Sequence, residues 1–142
     1  MLEEVAGLYE AYVDEFRRLE RNRRPLEGAF GLGGGPQNYP CHETFARDLE
    51  ELLGRFAAQT PSHDQVGPVL YYIYFTAPGR WQSEPAVYWM LLAVQGLTLE
   101  LIPLLDSTEA EGLYKAYQDA YPRRQRLPVQ TKVSAALNGR QK

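Results

Sequence analysis

Three residues carry nearly all the familiar reactive chemistry of this chain: Cys41, the only cysteine, with His42 beside it, and His63, the only other histidine. Cys41 and His42 follow Pro40 in "PCHE", where a favoured first-turn proline predicts a helix start. A thiol in that first turn feels the partial positive charge of the helix N-terminus, which favours the thiolate. A histidine acting as base would complete a nucleophilic pair. His42 points about 100° away from Cys41 on a helix, so His63 would have to approach through the fold. The competing expectation is a small buried thiol and a histidine that solvates or caps the helix end.

Ahead of these residues runs "GLGGGP", residues 31–36. Glycines at 33, 34 and 35 could present backbone amides to an anion, with Asn38, Cys41 and His42 as further ligand-binding candidates. A phosphate loop, however, needs a Lys-Ser/Thr pair after its last glycine, and a dinucleotide loop needs a preceding strand. Neither is present. The simpler expectation is a passage in which positive φ lets the chain reverse between two helices. Cys41, His42, His63 and Asp64 also offer metal-ligating atoms, but no CxxC, HxxxH or HExxH spacing sets two of them on one helix face. The sequence therefore assigns no metal and no cofactor.

Aromatic residues form the next concentration: Tyr71, Tyr72, Tyr74, Phe75, Trp81, Tyr88 and Trp89. The run "YYIY" cannot turn wholly inward on a helix, so Tyr71, Tyr74, Trp81 and Tyr88 become candidates for a partner surface. Arg17, Arg21 and Arg24 join them, because arginines spaced by three and four residues can meet phosphates or carboxylates. A solvated helix end explains the same cluster.

The elements that must position these groups read as helices. Apolar residues at 2, 5, 8, 9, 12, 13, 16 and 19 form one stripe, and Phe45, Leu49, Leu52, Leu53 and Phe56 form another. In "TPSHD", Thr60 or Ser62 is the expected cap of a third helix. Its body is ambiguous, since Gly67-Pro68 could break it and residues 69–75 would also pass for a strand; the absence of a partner strand favours helix. A long, nearly all-apolar helix is expected over about 84–105, until Pro103 ends or kinks it. Thr108 with Glu111 looks like a capping box, and a last helix is expected from Pro128 to about Leu137, with Asn138-Gly139 closing it. The expected fold is thus all-α: one domain over residues 1–142, five to six helices around the apolar 84–105 element, a glycine-rich loop between the first two, and a frayed end of about five residues.

Composition limits the function classes. The chain has 142 residues, formal charge −3, 44% hydrophobic and 23% charged residues, ordinary values for a folded domain. Basic residues gather at 17–24 and 122–142 and acidic ones at 84–120, so the chain is mildly dipolar. Glu100 and Gln95 within 85–105 argue for a bundle core over a membrane span. One cysteine and an acidic first turn fit the cytoplasm. The leading expectation is a non-catalytic domain that binds a protein partner or itself, with a homodimer as one form. A thiol-dependent enzyme or small-ligand binder using residues 31–36 and Cys41 is the alternative, and nucleic-acid binding through Arg17–Arg24 and the basic tail is the third.

Overall fold

The computed structural model describes residues 1–23 and 35–141, and among these the only regular structure is helical. Six helices build it: α1 (Leu2–Arg21), α2 (Pro40–Ala58), α3 (His63–Tyr71, continued by a π turn over Tyr72–Thr76 and a last α turn over Ala77–Arg80), α4 (Pro85–Ala93), α5 (Ser107–Ala120) and α6 (Pro128–Gln141). α1 packs along α2 and α5 along α6. The stripe read from the sequence supplies the buried face of α1, Val5, Tyr9, Tyr12, Val13 and Phe16, and α2 answers with Phe45, Leu49, Leu52, Leu53 and Phe56. Tyr12 stacks on Phe45 at 4.3 Å between ring centroids. Gly33, Gly34 and Arg24 lie outside the described residues. Gly35 is described, and its backbone is extended (φ −87°, ψ −179°), so this glycine uses no positive φ. A Cβ there would meet the Gln37 side chain at 2.5 Å.

Residues 69–75 are helical, and Gly67-Pro68 does not interrupt the rod. Pro68 would deprive only the Asp64 carbonyl, in the exposed first turn, of its i+4 donor. Pro78 matters more. It has no N–H for the Tyr74 carbonyl, and the π turn lies at this point; the Tyr121 hydroxyl of α5 donates to that carbonyl instead. Tyr121 also accepts from Gln95 Nε2 at 3.1 Å, Gln95 Oε1 accepts from Tyr117 at 2.6 Å, and Tyr74 meets Thr98 at 2.5 Å. All five side chains are buried. This network joins α3, α5 and the segment after α4 in the centre of the molecule, and each polar atom in it has a partner.

The same network explains why the expected 84–105 helix is not continuous. α4 ends at Ala93, and Val94–Thr98 tightens into a 3₁₀ turn that carries Gln95 and Thr98 inward, with Thr98 Oγ1 donating to the Gln95 carbonyl at 2.7 Å. Gly96 lets this turn touch α6, since a Cβ there would sit 2.9 Å from Val129 Cγ2. A second 3₁₀ turn, Ile102–Leu104, contains Pro103. Burial of polar groups thus overrides helix propensity across an apolar run.

Of three further helix ends, the first is decided between the two expected caps and the other two depart from the sequence reading. Thr60, at φ 47°, closes α2, and Ser62 alone caps α3, with Gln65 Oε1 accepting from the Ser62 backbone at 3.0 Å. The cap of α5 is Asp106 rather than Thr108: its Oδ1 accepts from the Glu109 N–H at 2.7 Å. α6 runs to Gln141 instead of stopping near Leu137; Gly139 is accommodated, and Arg140 Nε donates to the Leu105 carbonyl at 2.6 Å.

Candidate functional site

The start of α2 is built as the sequence predicts, with Pro40 in the first turn, and Tyr39 is its cap residue. A single 3₁₀ turn, Pro36–Asn38, precedes it. His42 is buried between α1 and that turn. Its Nε2 lies 2.7 Å from the Pro36 carbonyl, which can only accept, so Nε2 carries the proton; Nδ1 then accepts from the Tyr12 hydroxyl at 2.6 Å. Both ring nitrogens are therefore committed to hydrogen bonds. Burial, more than the charges of Cys41 and Glu84, pushes the Tyr12 phenol far above its ordinary pKa, which keeps it a donor. Nearby, Tyr39 donates to Glu20 Oε1 at 2.5 Å and ties the same turn to the end of α1.

Cys41 is buried, and its thiol is pushed up chiefly by burial and secondarily by the charge of Glu15. These effects outweigh the backbone hydrogen bond that favours the thiolate. It borders a cavity of about 510 Å³ between α1 and α2, with Tyr12, Leu19 and Phe45 among its walls. His63, the other possible base, lies at the start of α3, where its Nδ1 is bound to Glu109 Oε1 at 2.5 Å. The three chemistry-bearing residues are thus not assembled into one centre. Asn38 is exposed beside the turn, with its backbone N–H bonded to the Gly35 carbonyl at 2.9 Å.

Among the partner candidates the structure divides sharply. Tyr74 and Trp81 belong to the core, Tyr88 is half-buried, and Tyr71 is 54% exposed. Trp81 packs under the Arg80 guanidinium at 4.5 Å, and Arg80 in turn holds Glu10 at 2.9 Å. The inward turn of Tyr74 is enforced by its hydroxyl contact with Thr98, a constraint no local pattern reveals. Trp89 is the more exposed ring, at 55%. The apolar run around it has no polar face to mark which side meets water, so periodicity gives no direction for Trp89.

Trp89 borders a groove of about 790 Å³ where the end of α1, the Pro36–Asn38 turn and the start of α4 meet. Phe16, Pro85, Ala86 and Trp89 give it an apolar lining; Arg17, Glu20, Arg21 and Glu84 give it charge. Arg17 Nε donates to Glu84 Oε1 at 2.8 Å across it, and Arg21 is exposed. Among the described residues, Glu84 Oε2 is buried without a hydrogen-bond partner. The groove therefore combines an exposed indole, an arginine at its edge and an under-satisfied carboxylate.

Comparison of the chain with protein-family models, curated proteins and solved structures found no match. Among the described residues, no helix is long and apolar enough to cross a membrane.

Proposed function

We propose that this chain is a cytoplasmic binding domain without chemistry of its own, and that it engages a protein partner through the groove walled by α1, the Pro36–Asn38 turn and α4. The observation that carries the reading is Trp89, more than half exposed on the edge of a groove of about 790 Å³. A large aromatic kept in water loses the free energy of burial, about 1.5–3 kcal/mol for a side chain of this kind, and surface indoles beside apolar concavities are the usual anchors of protein interfaces. Arg17 and Arg21 supply the polar rim such an interface needs. The partner's expected contribution is an apolar side chain seated over Phe16 and Pro85, flanked by an acid that reaches Arg21.

The thiol-enzyme reading draws less support, because His42 has both nitrogens occupied and the Cys41 thiol is held protonated. The test compares wild type with Trp89→Ala and Arg21→Glu by light scattering during size-exclusion chromatography and by retention of partners from lysate. A dimer or a retained partner that both substitutions abolish supports the groove. Association unchanged in both variants, or a strict monomer that retains nothing, overturns it.

A further inference from the structure

A second cluster lies outside that groove, where the first turns of α3 and α5 face each other. We propose that His63, Asp64 and Glu109 form a binding site for a divalent transition-metal ion of the zinc class, joining these two helix starts, with Asp106 beside it. His63 Nδ1 stands 2.5 Å from Glu109 Oε1, 3.2 Å from Asp64 Oδ1 and 3.5 Å from Asp106 Oδ2. Ligand atoms of His63, Asp64 and Glu109 all fall within 4.8 Å of one another. Zinc bonds nitrogen and oxygen at about 2.0–2.2 Å, so neighbouring atoms of a tetrahedral shell are about 3.3–3.5 Å apart. The Asp64 separation of 3.2 Å already lies within about 0.1 Å of that range, and Glu109 needs to retreat by less than about 1 Å to admit the ion.

Charge points the same way. Three carboxylates converge, and among the described residues none of them is paired with a lysine or arginine; His63 is their sole cationic contact. The two helix N-termini offset part of this negative charge, but a divalent cation matches it far better than one imidazole. Asp106 keeps its capping role, its Oδ1 holding the Glu109 N–H, while Oδ2 faces His63 and adds negative charge beside the site.

The chain also makes room for the cluster. A Cβ on Gly67 would lie 2.9 Å from Glu109 Oε2. Glycine inside a helix is less stable than alanine, and here the space it leaves is filled by the carboxylate. The ligands come from residues 46 positions apart in the chain, which is why no metal spacing is visible in the sequence. One imidazole with carboxylate oxygens suits zinc, cobalt or nickel and does not call for a thiolate.

The experiment titrates the chelator-treated full chain near pH 7 with Zn²⁺ by calorimetry and with Co²⁺ by visible absorption. One equivalent should bind, with the cobalt bands of a nitrogen-oxygen shell and a rise in melting midpoint. His63→Ala and Glu109→Gln should each weaken binding at least about tenfold, while Glu111→Gln and Cys41→Ser leave it unchanged. All these positions except Cys41 are at least partly exposed, and far-UV circular dichroism confirms that each variant is folded. Absence of stoichiometric binding by wild type, equal binding by His63→Ala, or loss of binding in Cys41→Ser overturns the site.

Discussion

The two histidines occupy equivalent places, each in the first turn of a helix, and the fold treats them in opposite ways. His42 is 8% exposed and stands in the middle of a hydrogen-bonded chain, phenol to imidazole to carbonyl. The side chain of His63 is 45% exposed and faces three carboxylates. In the first case, geometry and burial make each hydrogen bond count, because a lost partner leaves a polar atom without water. In the second, charges meet in solvent, where screening leaves little net energy unless something other than the histidine gathers them. A structural role follows for His42 and an availability for ligation follows for His63, although the sequence presents them alike.

Removing His42 should have the largest effect. His42→Ala leaves the Tyr12 hydroxyl and the Pro36 carbonyl without their partner and opens space against Phe16. The expected loss of stability is about 2–4 kcal/mol, read from urea unfolding midpoints. Tyr12→Phe removes one bond and keeps the ring stack on Phe45, so its loss should be smaller, about 1–2 kcal/mol. Equal losses in the two variants would mean that the Pro36 carbonyl bond carries nothing, and that the 3₁₀ turn is held by other contacts.

Alkali separates the two regions by a second route. Tyr39 is pushed up to about 12 by burial, then by its hydrogen bond to Glu20 and that carboxylate's charge. A phenol whose pKa is raised in the folded chain contributes stability that is complete below the unfolded value, near 10, and is lost as pH rises through the folded one. Stability should therefore fall between about pH 10 and pH 12, and Tyr39→Phe should flatten part of that slope. Parallel pH curves for wild type and Tyr39→Phe would remove the Tyr39–Glu20 tie from the energetics of the α2 start. The other tyrosines shifted upward, Tyr121 to about 12 and Tyr117 further, act in the same direction and are common to both proteins.

What the sequence makes legible follows from what is local. The stripes of α1 and α2 and the helix start at Pro40 depend on local residues alone, and these helices form as read. Trp89, Tyr74 and the break after Ala93 depend on partners far along the chain. Gln95 bonds residues of α5 more than twenty positions away, and only the assembled core shows that this glutamine turns the chain inward. The candidate sites follow the same rule. Cys41 and His42 are adjacent in sequence and attract attention together, yet they share no bond. His63 meets Glu109 across 46 positions, and no motif joins them.

The smallest effect is expected at His63 and sharpens the contrast most. In chelator-treated protein, His63→Ala should leave the unfolding midpoint close to that of wild type, since the lost attraction to Glu109 is solvent-exposed and screened at physiological salt, where the Debye length is about 8 Å. The neighbouring carboxylates then repel each other slightly more, so a small downward shift should appear at low ionic strength and vanish on adding salt. Zinc should split the two proteins apart, stabilising wild type by mass action and leaving His63→Ala where it was. A large salt-independent loss in the metal-free variant would instead make His63 a structural residue of the same kind as His42, and the difference between the two helix starts would be one of exposure alone.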